Sequence, residues 1–278
     1  MIRRGFLDAD HGQVHYRYCG EGPAILLVHA SPGSSKQLES LMSALAYTGY
    51  SIFAPDTPGN GDSEKLPVET PSIQDYATAL LALVELHGLK RPHVYGSHTG
   101  SAIAAEMAIA APERIGRVVL EGIGVFSPEQ RAAVLEHYAK PFTPDLDGTH
   151  LIRAFNFCRD QYLFFPWYDR TAHATRAAGL PQASVLQAWV LEVLKAAETY
   201  PLAYRAAFRW PALDRMSLIE KDTLVIASED DPLLAGTREA AQLLASGRFE
   251  LMPGYLDPQF SNRRQTLITD FLGGAQAQ

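Results

Sequence analysis

Five short apolar runs, each closed by turn-forming residues, constrain this chain more than any other feature. Ala24-Ile25-Leu26-Leu27-Val28-His29 lies between Gly22-Pro23 and a Pro-Gly turn. Ser51-Ile52-Phe53-Ala54, His93-Val94-Tyr95-Gly96, Arg117-Val118-Val119-Leu120 and Thr223-Leu224-Val225-Ile226-Ala227 have the same character. A run without polar alternation reads as a strand covered on both faces. Amphipathic stretches separate the runs: over residues 72–87, Ile73, Tyr76, Ala77, Leu80, Leu83 and Val84 share one side, and Gly88 ends the helix. This alternation holds over residues 1–122 and 222–272. It predicts an α/β fold with a mostly parallel sheet, right-handed crossovers and flanking helices.

The middle of the chain differs. Residues 124–216 show helical periodicity and no convincing strand, and they hold Phe155, Phe157, Tyr162, Phe164, Phe165, Trp167, Tyr168, Trp189, Tyr200, Tyr204, Phe208 and Trp210. The expected organisation is a core from 1–123 and 217–278, with 124–216 as a helical cap inserted over the C-terminal edge of the sheet. Open α/β sheets bind ligands at that edge.

Composition narrows the classes. The 278 residues are 47% hydrophobic and 20% charged, enough apolar surface for a packed core. A net charge of −7 argues against a nucleic-acid partner. No apolar run is long enough to cross a bilayer, and the start, Met1-Ile2-Arg3-Arg4-Gly5, has no signal-peptide character. Cys19 and Cys158 make no disulfide framework or thiolate cluster. The expectation is a cytoplasmic protein, monomer or homodimer, with a small-molecule substrate and no membrane partner.

Three motifs together resemble the α/β-hydrolase family, and the likeness extends over nearly the whole chain. His29-Ala30-Ser31-Pro32-Gly33 is similar to the family's oxyanion-hole turn, Asp56-Thr57-Pro58-Gly59-Asn60-Gly61-Asp62-Ser63 to its Asp-x-x-Gly-x-Gly-x-Ser loop, and Gly96-Ser97-His98-Thr99-Gly100 to its nucleophile elbow. The resemblance implies the α/β-hydrolase fold and backbone N–H groups of Ala30 or Ser31 and Thr99 that would face an oxyanion. Two departures stand out. The elbow's apex, ordinarily Ser, Cys or Asp, is His98, and none of the nine histidines follows His173. The family's C-terminal histidine slot falls near Asp257. Ser97 precedes the apex, a position from which an elbow points a side chain elsewhere. For acids, Ser228-Glu229-Asp230-Asp231-Pro232 resembles the family's acid loop and points to Asp231; Leu120-Glu121-Gly122 resembles an alternative acid position and points to Glu121.

A histidine at the elbow beside a carboxylate is placed for general-base work, because the acid fixes the tautomer and leaves the other nitrogen for the substrate. The leading expectation is hydrolysis of a small carbonyl or ester-type compound, with His98 as base and Asp231, Glu121 or Asp257 nearby. The alternatives are a cofactor-independent lyase or decarboxylase on the same fold and an inactive ligand-binding protein. No cofactor is implied, and no histidine spacing supports a metal. In the cap, Trp167 belongs to the aromatic run, and His150 or Arg159 would suit an anionic or carbonyl-bearing substrate, although an Arg159–Asp160 or Arg170–Asp169 salt-bridge network that staples the cap is the leading reading of this stretch.

Overall fold

The structure is a computed structural model that describes residues 1–176 and 179–273. Its centre is an eight-stranded sheet in the order β1-β2-β4-β3-β5-β6-β7-β8. The strands are β1 (Arg3–Ala9), β2 (Gly12–Cys19), β3 (Ala24–Val28), β4 (Ser51–Pro55), β5 (His93–Ser97), β6 (Val118–Glu121), β7 (Thr223–Ser228) and β8 (Gly247–Met252). β1 and β2 form an antiparallel hairpin joined antiparallel to β4, and β4 through β8 run parallel. The five apolar runs thus became β3 to β7. The sequence reading did not single out the hairpin or β8, which carry more polar, half-exposed residues.

Helices cover both faces. On one side lie α2 (Ile73–Leu86), α3 (Thr99–Ala110), α8 (Ala212–Met216) and α9 (Leu234–Ala241), and on the other α1 (Glu39–Tyr47) and α10 (Phe260–Leu272). The start of α2 is fixed by a reciprocal capping box between Ser72 and Asp75. Helix α3 packs almost backbone to backbone on the sheet. A Cβ at Gly96 would lie 2.1 Å from the Gly100 carbonyl oxygen, and one at Gly100 would lie 2.3 Å from that of Val28. These two glycines therefore bring the β5–α3 corner down onto the central strands.

Between β6 and β7 the chain forms α4 (Pro128–His137), α5 (Thr149–Leu163), α6 (Ala183–Lys195), α7 (Tyr200–Arg209) and α8. Val134, Tyr138, Phe142, Phe157, Leu186, Val193 and Tyr200 bury one another in a cluster separate from the two that line the sheet. Its aromatic rings meet at preferred angles, with Phe142 stacked on Tyr200 at 5.2 Å between centroids. The inserted stretch is not uniform. Ala203, Ala206, Trp210, Ala212 and Met216 pack into the sheet's own core. Trp210 Nε1 and Arg215 Nε each donate to Oε1 of buried Glu106 on α3 at 2.7 Å. At the other end Trp189 Nε1 donates to the Pro32 carbonyl (2.7 Å) and Ser34 Oγ to Glu192 (2.6 Å). No helix among the described residues is long and apolar enough to cross a membrane.

Candidate active site

The C-terminal ends of β3, β5, β6 and β7 open into a cavity of about 670 Å³ roofed by the inserted helices. Its floor holds the β5–α3 corner. His98 sits there with φ 51° and ψ −109°, a positive-φ conformation that is strained for a non-glycine residue and is held here by the tight strand-to-helix turn. Its N–H donates to the Glu121 carbonyl at 2.7 Å. The side chain is 40% exposed, and His98 lines the cavity.

Nε2 of His98 lies 3.2 Å from Oδ2 of Asp231, which is nearly fully buried. The other Asp231 oxygen accepts the Leu233 N–H at 2.8 Å, so the carboxylate is held from two sides. Gly122 makes room for the pair: a Cβ there would stand 3.0 Å from the imidazole and 3.1 Å from the carboxylate. Burial pulls the His98 pKa down, but the Asp231 carboxylate, helped by the charge of Glu121, outweighs it and holds the pKa above the ordinary histidine value. Burial likewise opposes ionisation of Asp231, yet His98 and the Leu233 N–H keep its pKa below the usual carboxylate value. An ionised Asp231 accepting from Nε2–H leaves the lone pair of neutral His98 on Nδ1, and Ser97 Oγ is 3.1 Å from that nitrogen.

The other residues singled out from the sequence divide into two groups. Ala30, Ser31, Thr99 and Glu121 line the cavity. Thr99 opens α3, so its N–H has no acceptor within the helix, and Ser31 Oγ is buried without a hydrogen-bond partner among the described residues. Glu121 is engaged elsewhere: it accepts from the Tyr95 hydroxyl at 2.5 Å and faces Arg264 at 3.6 Å. Asp257, His150, Arg159 and Trp167 lie outside the lining. Asp257 accepts the Gln259 N–H at 2.7 Å just ahead of α10 and is exposed, because Pro258 turns the chain there; Tyr255 of the same loop reaches the cavity instead. His150 turns back on Asp145 at the start of α5 (3.2 Å), Arg159 pairs with Asp160 (2.7 Å) and Trp167 donates to the Tyr138 carbonyl (2.9 Å). His29 braces its turn, with Nδ1 on the Ala30 carbonyl and Nε2 accepting the Thr57 N–H, both at 2.9 Å.

Sequence reasoning missed the two arginines that, along with Lys36, line the cavity. Arg176 lines the chamber, donates to the carbonyls of Gln161 (2.6 Å) and Asp230 (3.4 Å), and forms no ion pair with a carboxylate among the described residues. Its Nε is buried with no hydrogen-bond partner among the described residues. Arg264 also lines the cavity, but Glu121 offsets its charge. No motif surrounds either arginine, so only the fold could reveal them.

Comparison with known proteins agrees with this architecture. A model of the alpha/beta hydrolase fold matches residues 23–262. The chain is 36% identical over 131 residues to 2-hydroxy-6-oxononadienedioate/2-hydroxy-6-oxononatrienedioate hydrolase 2 of Pseudomonas putida, covering 44% of this chain and 43% of that one. It is 30% identical over 114 residues to 2-hydroxy-6-oxo-6-phenylhexa-2,4-dienoate hydrolase of Comamonas testosteroni, covering 40% of each. The matched segments thus span less than half the length of these relatives. Epoxide hydrolase A of Mycobacterium thermoresistibile superposes over 100% of both chains with a TM-score of 0.76 at 20% identity, a likeness of fold alone. The strand order, the tight β5–α3 corner and the family match agree: the chain belongs to the alpha/beta hydrolase fold family.

Proposed function

We propose that the protein is a hydrolase of small carbonyl compounds that carry a carboxylate, with His98 as general base and Asp231 as the acid that orients it. The observation behind this reading is the His98–Asp231 pair, 3.2 Å apart at a strained corner under the cavity. Asp231 fixes the tautomer so that Nδ1 is free to accept a proton. It then offsets the charge of the imidazolium formed when Nδ1 takes that proton. The backbone N–H of Thr99, with that of Ala30 or Ser31, supplies donors for the oxygen that gains charge as the carbonyl is attacked. The inserted helices serve as a cap that keeps bulk water from this step.

Arg176 supports the substrate class. A guanidinium with no carboxylate partner among the described residues, and one buried N–H unmet by them, suits an anionic group on the ligand. The two hydrolases named above act, by their names, on oxo-dienoates, which combine a ketone with a carboxylate. We assign Arg176 the carboxylate, and the carbonyl the floor beside His98.

The test is a panel of two substrate types, 4-nitrophenyl esters and 2-hydroxy-6-oxo-dienoates. Turnover of the oxo-dienoate above that of a neutral ester of similar size is the expected result. An enzyme that turns over neither, yet removes carbon dioxide or another fragment from an oxo acid without consuming water, would be a lyase and would end the hydrolase reading.

A further inference from the structure

We propose that the Ser97 hydroxyl is the nucleophile of this site, one residue before the apex at the end of β5. The proposal rests on the general-base reading of His98 and specifies what that base deprotonates.

Three observations carry it. The first is the commitment of the ring. With Nε2 turned to Asp231 at 3.2 Å, Nδ1 is the nitrogen left to take a proton, and its neighbour is Ser97 Oγ at 3.1 Å. That is the separation expected between a nucleophile and its base. The second is access, since Ser97 and His98 both line the cavity and both are only partly buried. The third is the fate of the serine hydroxyl in the first turn of α3. Ser101 Oγ is spent on the Gly96 and Glu121 carbonyls, at 2.8 and 2.9 Å. Serine, histidine and aspartate therefore form one chain of contacts, Ser97–His98–Asp231, in which the acid sits on Nε2 and the serine on Nδ1. In a strand, consecutive side chains point to opposite faces. The positive φ at His98 breaks that alternation and lets the two neighbours meet.

The step is an acyl transfer. Ser97 Oγ attacks the substrate carbonyl carbon, the carbonyl π pair moves onto oxygen, and the hydroxyl proton passes to Nδ1 of His98. Collapse restores the carbonyl and breaks the bond to the leaving group. That group departs with the proton from Nδ1, and an ester remains on Ser97. Water then adds to the ester and gives a proton to Nδ1. A second collapse releases the carboxylic acid and returns that proton to Ser97 Oγ. Asp231 stays ionised throughout.

The experiment treats the full chain with a fluorophosphonate and locates the adduct by peptide mass spectrometry, alongside steady-state hydrolysis of 4-nitrophenyl acetate. The expected result is one adduct per chain, on Ser97. Ser97→Ala then removes the adduct and lowers kcat by at least about 10³-fold. Ser97→Cys retains a nucleophile at the same place. It is expected to take up iodoacetamide ahead of Cys19 and Cys158, which are both buried, and to accumulate a thioester with the acetate. An adduct on any other residue, or none, overturns the proposal. So does a Ser97→Ala enzyme within about 3-fold of wild-type kcat when His98→Ala is inactive; water is then the direct nucleophile and the base reading stands. Full activity in His98→Ala removes the base reading itself.

Discussion

Two imidazole–carboxylate pairs, His15–Asp56 and His98–Asp231, show how the same chemistry serves opposite ends in one molecule. In the first, Nδ1 of His15 meets Oδ2 of Asp56 at 2.9 Å, and both side chains are sealed from solvent. Asp56 also accepts the Ser35 hydroxyl, the Ser35 N–H (2.8 Å) and the Asp62 N–H (3.0 Å). Ser63 Oγ, which donates to the Asp56 carbonyl, accepts the His15 N–H at 3.0 Å, completing a stitch between β2 and the loop after β4. Burial would raise the Asp56 pKa, but the bond from His15, the nearby His29, the Ser35 hydroxyl and the Asp62 N–H hold it well below the carboxylate range. The second pair is looser, at 3.2 Å, on strained backbone, with one flank open to the cavity. A pair whose bonds are all spent is a staple; one with an open flank is free to exchange a proton.

Substitutions can break this contrast, and the largest effect is expected at His98. His98→Ala lowers kcat by about 10³- to 10⁴-fold, while its unfolding free energy moves less than that of Asp56→Ala. Steady-state kinetics and denaturant unfolding on one preparation check both halves. Asp56→Ala does the reverse. It leaves a hole in a fully buried network and costs about 3–5 kcal/mol of stability, with kcat of the folded fraction within a few-fold of wild type. Its signature is also visible in acid. Since the Asp56 pKa is depressed, its stabilisation is present above about pH 4 and is lost as pH falls, so wild type and variant converge in stability at low pH.

Asp231→Asn comes next, with kcat expected to fall by about 10²-fold and the pH profile to move. In wild type, a raised His98 pKa places the rising limb of kcat above the ordinary histidine value of about 6.5. Without the carboxylate, burial dominates and the limb shifts to lower pH. A limb that stays in place would mean that Asp231 does not set the protonation of His98. The smallest effect is at Arg176. Arg176→Gln raises KM for a carboxylate-bearing substrate by about 10-fold, leaves KM for a neutral ester unchanged and alters kcat for both only slightly.

The sheet was legible because burial on both faces forces a strand to be apolar throughout, and β3 to β7 announce themselves that way. Strand β8 carries Arg248 and Glu250 and lies at the sheet's edge, so its pattern is weaker. The corner at His98 was readable for a mechanical reason: Gly96 and Gly100 leave no space for a Cβ. What lay beyond the sequence was direction. Residues 150, 159 and 167 offered suitable chemistry, but helical periodicity does not say which polar residue faces a cavity and which faces a neighbour. Asp160 holds both Arg159 and Arg170, at 2.7 Å each, and this anchors Arg159 away from the chamber. Ser97 is the sharper case. Strand alternation turns it away from its successor, and only the dihedral angles at the next residue reverse that.

Gly122 carries a consequence for how such a site tolerates change. Its φ of +73° strains any side chain placed there, and a methyl group would sit 3.0 Å from the imidazole and 3.1 Å from the Asp231 carboxylate. A larger residue would press on ring and acid together, from a position that takes no part in any reaction.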